Sequence, residues 1–176
     1  MKKIGIVLGS DSDLPVVQKA IDTIAEFGVE WEAHIYSAHR TPLQAKEFAE
    51  NAIKNNFGVL ICAAGMAAHL AGAIAANTVL PVIGIPMKST ALDGLDALLS
   101  TVMMPSGIPV ATVAIDGAKN AALLALQILA VNEPKLQQKL VERRAKDSAA
   151  VLEKDVALNA KHLSEKDDQP TYEIHW

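Results

Sequence analysis

Residues Gly58–Met87 read GVLICAAGMAAHLAGAIAANTVLPVIGIPM, a run without a single Asp, Glu, Lys or Arg. Val59 to Ala76 approaches the roughly 20 apolar residues that a membrane-spanning helix needs. Gly65, His69, Gly72, Asn77, Pro81 and Pro86 punctuate the run, however, and its many alanines add little to membrane insertion. A buried strand, a helix and a second buried strand explain it better, and that reading decides the fold.

Outward from this stretch, strand-length apolar runs alternate with helical patterns, as a parallel sheet requires. The sequence predicts strands at Lys3–Leu8, Glu32–Tyr36, Val59–Ala63, Val82–Ile85 and Val110–Ile115. Most are continuous apolar runs, the mark of strands buried on both faces. The second alternates from Trp31 to Tyr36 and belongs at or near an edge. Helices are expected at Leu14–Phe27, Pro42–Asn55, Ala67–Asn77, Gly94–Met103 and Asn120–Val131. Thr41, Pro42 and Gln44 form a start signal for the second helix. Gly28 and Gly58 stand where left-handed helix ends are expected. Right-handed crossovers give an α/β three-layer αβα sandwich with a five-stranded parallel sheet in order 2-1-3-4-5. One domain fills residues 1–132. A charged helical extension follows over 133–165, with Leu136, Leu140 and Val151 as apolar anchors, packing on the same or a neighbouring subunit. Residues 166–176 form a loosely held tail.

The chain has 176 residues, 51% of them hydrophobic and only 4% aromatic. A core of Ala, Val, Ile and Leu at this size needs neither disulfide nor metal. A net charge of −4 argues against a nucleic-acid polymer as partner. The lone Cys62 excludes a disulfide framework and fits a reducing compartment. Met1-Lys2-Lys3 with Ile4–Leu8 starts like a signal peptide but stops at Gly9-Ser10-Asp11-Ser12-Asp13, so a cytoplasmic location is expected. The third helix, over Ala67–Ala76, has almost no polar face. Either another copy of the chain or the C-terminal helix should cover it.

Ligands in an open parallel sheet bind beyond the carboxyl ends of the strands, where strand order reverses. Strand 1 ends in Gly9-Ser10-Asp11-Ser12-Asp13. Ser10, Ser12 and backbone N–H groups at a helix start make a phosphate seat. Asp13 is either a ribose acceptor or a plain N-cap. Strand 2 ends in Ser37-Ala38-His39-Arg40-Thr41-Pro42, where Arg40 suits phosphate or carboxylate. His39 suits proton transfer, although a single loop histidine is often idle. Strand 3 ends in Ala64-Gly65-Met66-Ala67-Ala68-His69-Leu70, whose small residues let a flat ligand lie on the backbone. His69, one turn inside the expected helix, is either a core histidine or a pocket residue. His34, His162 and His175 take no role. The residues give no zinc pattern, no phosphorylatable Asp after strand 3, no aromatics for a flavin and no activated nucleophile.

In order, these segments, together with Met104-Pro105-Ser106-Gly107-Ile108-Pro109 and Asn120–Ala125, resemble the PurE family. Its members are N5-carboxyaminoimidazole ribonucleotide mutases of purine biosynthesis. The resemblance runs from about Ile4 to Arg144. It implies a flavodoxin-like fold, a homo-octamer, and no metal or organic cofactor. It further implies that Ser10, Ser37 and Arg40 hold the ribose phosphate and Asp13 the ribose. His39 would be the general acid and base, with Ser12, Gly65, Ala67, His69 and Leu70 completing the pocket. Direct carboxylation of aminoimidazole ribonucleotide is the sister activity, and a non-catalytic nucleotide-phosphate binding module is the alternative of another class. Met66 stands where the family commonly has Gly, and Ala71 where it commonly has Pro. The segment around Asp116–Lys119 is a little short, and the tail runs past the usual end.

Overall fold

The computed structural model describes residues 1–167, and the chain divides into two compact units, Met1–Gln137 and the residues from Gln138 on. In the first unit β1 (Lys3–Leu8) leads through a short 3-10 turn (Asp11–Asp13) into α1 (Leu14–Glu26). Then follow β2 (Trp31–Ile35), α2 (Pro42–Asn51), β3 (Phe57–Gly65), α3 (Leu70–Ala75) and β4 (Val82–Met87). α4 (Leu95–Val102), β5 (Ala111–Thr112) and α5 (Ala118–Ala130) complete the alternation. The five strands form one parallel sheet in the order β2-β1-β3-β4-β5.

The three central strands explain the apolar runs. Ile4, Ile6, Leu8, Leu60, Ile61, Ile83 and Ile85 are at most 1% exposed, because helices cover both faces of the sheet. α1 and α5 pack together on one face. On the other, Ala45 and Phe48 of α2 join Leu70, Ala71 and Ile74 of α3 over Leu60 and Cys62. Each buried Ile or Leu contributes about 1.5–3 kcal/mol, so the frame is aliphatic and needs few aromatics. β2 is an edge strand, as its alternation predicts. Across it, Lys3 donates to Glu32 at 2.6 Å and His34 meets Glu32 at 2.8 Å. The Lys3 contact, seconded by His34, holds the Glu32 carboxyl below its ordinary range. His34 also stacks on Tyr36, so its role is local packing.

The structure corrects several boundaries, each for a physical reason. β5 pairs only at Ala111 and Thr112, not over Val110–Ile115. Pro86 of β4 has no N–H to give on that side, while its carbonyl accepts from the Asp116 N–H at 2.9 Å. α3 is shorter than expected, because Met66 adopts φ +55 and the chain reaches His69 through tight turns. His69 therefore sits at the helix N-cap rather than a turn inside it. After α2 the Phe57 N–H donates to Ala52 O at 3.0 Å and the Asn56 N–H to Ile53 O at 3.2 Å. Asn56, at φ +66, takes the left-handed position expected of Gly58, which lies inside β3. Gly28, at φ +71, does close α1 this way. Thr41 makes no side-chain cap for α2, and no capping box with Gln44 forms. Instead the Thr41 hydroxyl accepts from the Ser37 N–H at 2.8 Å and donates to Ser37 O at 3.2 Å.

Helix α3 packs against α2, β3 and β4 of its own chain, which buries Leu70, Ala71, Ile74 and Ala75. Its apolar character thus has an internal cause, and only Gly72 and Ala73 stay half-buried. α6 (Pro134–Asp167) begins in the first unit, where Leu136 is buried, and runs on as the second. There Leu140 is half-buried, and Val151 is 63% exposed in the single chain. Arg143 and Asp147, one turn apart, pair along this helix. Of the expected 166–176 tail, residues 168–176 lie outside the described residues. Among the described residues, no helix is long and apolar enough to cross a membrane.

Small residues set the spacing between sheet and helices. A Cβ on Gly84 of β4 would lie 2.4 Å from Thr101 Cγ2 of α4 and 3.4 Å from Ala71 Cβ of α3. Gly84→Ala is expected to destabilise the protein by about 1–3 kcal/mol in urea unfolding, through overpacking. An unchanged midpoint would show that α4 can move aside freely.

Candidate active site

The carboxyl ends of β1, β2, β3 and β4 open into a cleft of about 630 Å³. Two hydrogen bonds that prolong the sheet bring the loops together. The Tyr36 N–H donates to Leu8 O, and the Gly9 N–H to Ala63 O, each at 2.9 Å. The cleft is lined by Ser10, Ser12, Asp13, Ser37, His39, Arg40, Gly65, Ala67, His69 and Leu70. Every candidate residue of the sequence analysis therefore reaches one cavity.

The first loop is organised by its serines. Ser10 Oγ accepts from the Ser12 N–H at 3.3 Å and from the Ser12 hydroxyl at 2.9 Å, while donating to Asp11 at 3.1 Å. The second is folded around Ser37, whose Oγ accepts the N–H groups of His39 at 3.3 Å and Arg40 at 3.2 Å. Thr41 closes that turn from behind. Arg40 then crosses to the first loop and donates to Gly9 O at 3.2 Å. Two hydroxyl-bearing loops and a guanidinium beside a helix start are what an oxyanion such as phosphate requires.

His39 and His69 meet across the cleft. His39 Nε2 lies 2.9 Å from His69 Nδ1, with the rings nearly perpendicular at 80°. Such a contact holds when only one of the facing nitrogens carries a proton. Both rings are exposed to the cavity, so His69 is not a satisfied core histidine. The loop between Gly65 and His69 supplies small walls. Met66, 66% exposed at φ +55, occupies a conformation that glycine adopts at no steric cost.

Asp13 is half-buried and makes no side-chain cap, which removes the plain N-cap reading. Burial is the main cause raising its carboxyl above the ordinary aspartate range. Hydrogen bonding from Ser10 and Ser12 opposes this, and the charges of Asp116 and Asp11 add to it. Burial likewise pushes the Cys62 thiol up, so it is no nucleophile. Among the described residues, no three His, Cys, Asp or Glu side chains group as metal ligands.

Lys88, Ser89 and Thr90, at the end of β4, also line the cleft and were not singled out from the sequence. A signal was present: Lys88 is the first charged residue after the charge-free run.

Fold and cleft define a parallel α/β protein whose serine, arginine and histidine side chains meet at the switch point of its sheet. The chain belongs to the AIR carboxylase family, whose model matches residues 3–150. It is 57% identical to the N5-carboxyaminoimidazole ribonucleotide mutase of Pyrococcus horikoshii, over 92% of this chain and 89% of that one. It is 50% identical to the enzyme of the same name from Thermotoga maritima, over 88% and 90%. The crystal structure of Treponema denticola PurE superposes with a TM-score of 0.81 at 28% identity, covering 88% of this chain and 97% of that one.

The raised Asp13 carboxyl has a consequence for stability. The folded chain binds this proton more tightly than the unfolded chain. The group's contribution is therefore fully present below the ordinary aspartate range and is lost as pH rises through the raised value. Asp13→Asn should raise the melting temperature of the empty protein at pH 7, modestly because the group keeps contact with water. The gain should vanish in acid. A lower midpoint at pH 7 would contradict this.

Proposed function

We propose that this protein is an N5-carboxyaminoimidazole ribonucleotide mutase of purine biosynthesis, converting its substrate to 4-carboxy-5-aminoimidazole ribonucleotide. The observation that carries the reading is the His39–His69 pair beside the serine and arginine loops, in a chain so similar to enzymes of that name. Ser10, Ser12, Ser37 and Arg40 hold the ribose phosphate, and Asp13 accepts from a ribose hydroxyl. Gly65, Ala67 and Leu70 wall the base.

The chemistry asks for one proton, given and then taken back. Protonation of N5 lets the N–CO2 bond break with its electron pair left on nitrogen, releasing CO2 beside the ring. C4 then attacks that CO2, and loss of the C4 proton restores aromaticity. His39 is the donor and later the acceptor, and the contact with His69 holds its ring in place. Small apolar walls keep CO2 next to C4, so a proximity effect replaces any need for a carboxyl carrier. No metal or organic cofactor enters this scheme.

The working assembly is a homo-octamer of this chain, in the cytoplasm. An oligomer is supported by the row Leu95, Leu99 and Val102 on one face of α4, with Met103 beside it, 45–76% exposed in the single chain. Residues 1–132 act as the catalytic domain, and 133–165 as a helical extension used in assembly.

His39→Asn is expected to lower kcat by about 10²–10⁴-fold, the usual worth of an acid–base group. Far-UV circular dichroism and gel-filtration volume should be unchanged. Near-normal turnover would overturn the assignment. A wild-type protein that binds the ribonucleotide but never turns it over would favour the binding-module reading.

A further inference from the structure

We propose that Lys88 is the contact for the substrate's carboxylate, on the side of the cleft away from Arg40. The proposal rests on the mutase reading and adds to it a residue that decides between carboxylated and uncarboxylated ribonucleotides.

The topology places the two cations apart. Arg40 follows β2 and Lys88 follows β4, and β1 and β3 lie between them. Three strand spacings of about 4.8 Å separate the two strands, roughly 14 Å across the end of the sheet. The His39–His69 contact and the Gly65 loop fall in the interval. A ribonucleotide bearing a carboxylated base is anionic at both ends, phosphate and carboxylate, and a cation at each end of the cleft matches it.

The local structure is built around this lysine. Its N–H donates to Asp116 Oδ1 at 2.9 Å, and its Nζ pairs with Asp93 Oδ1 at 3.2 Å. Asp93 and Asp116 sit at φ +51 and +55, so one strained residue holds the lysine's ammonium and another its backbone N–H at the cleft. The Lys88–Asp93 pair is open to water, with side chains 61% and 83% exposed, and is therefore cheap to exchange for another carboxylate. The reaction moves the carboxylate from N5 to C4. A point charge on a flexible stem can follow such a shift, where the rigid fork of an arginine fits one position. Asp116 and Asp93 would otherwise leave this end of the cleft negative.

The test is titration calorimetry with two probes, 4-carboxy-5-aminoimidazole ribonucleotide and the uncarboxylated 5-aminoimidazole ribonucleotide. The side chain is exposed, so Lys88→Met should fold normally. It is expected to lose about tenfold in affinity for the carboxylated ligand and less than twofold for the other. Equal losses for both ligands, or no loss for either, would overturn the role of Lys88 while leaving the cleft assignment intact. A wild-type protein that binds neither ligand would overturn the cleft assignment and this inference with it.

Discussion

β1 is hydrogen-bonded on both sides at once, to β2 and to β3, and the site depends on that double pairing. Parallel strands all end at the same edge of a sheet. When one strand is flanked by the next two in the chain, the three loops that follow must share a rim. The ladders here run past the strands themselves, through Tyr36 N–H to Leu8 O and Gly9 N–H to Ala63 O. Arg40 adds a third tie, from the second loop to the Gly9 carbonyl. The distance between His39 and His69 is thus a property of the sheet, transmitted through short loops.

The frame and the rim follow opposite rules. Below, aliphatic side chains are fully buried and glycines let helices approach closely. Above, Met66, Asp93 and Asp116 take left-handed backbone conformations, and Asp13 keeps a carboxyl in a place that disfavours its charge. These features cost stability. Met66 and Asp13 line the cleft, and Asp93 and Asp116 hold Lys88 beside it, which fits a protein that gives up stability for function there.

The fold was legible because its signals are local. Continuous apolar runs, Gly28 after α1 and the alternating Trp31–Tyr36 segment state burial on both faces, helix end and sheet edge directly. The failures arose where a tertiary interaction won. Pro86 shortened β5 from the neighbouring strand, Asn56 took over a left-handed turn in place of Gly58, and Thr41 served the Ser37 loop rather than its own helix. The site residues could be chosen from strand-end loops by residue type and resemblance. The contact of one histidine with the other, and the place of Lys88, needed the loops in three dimensions.

The central claim is that carboxylate passes from N5 to C4 inside one cleft, with His39 moving the proton. The most direct measurement supplies substrate labelled with ¹³C in its N5-carboxylate, in a buffer rich in unlabelled bicarbonate. Nuclear magnetic resonance then reads the carboxylate at C4 of the product. The account predicts that nearly all of the label is retained. Product carrying the isotopic composition of the buffer would contradict it, and would point to direct carboxylation by dissolved CO2.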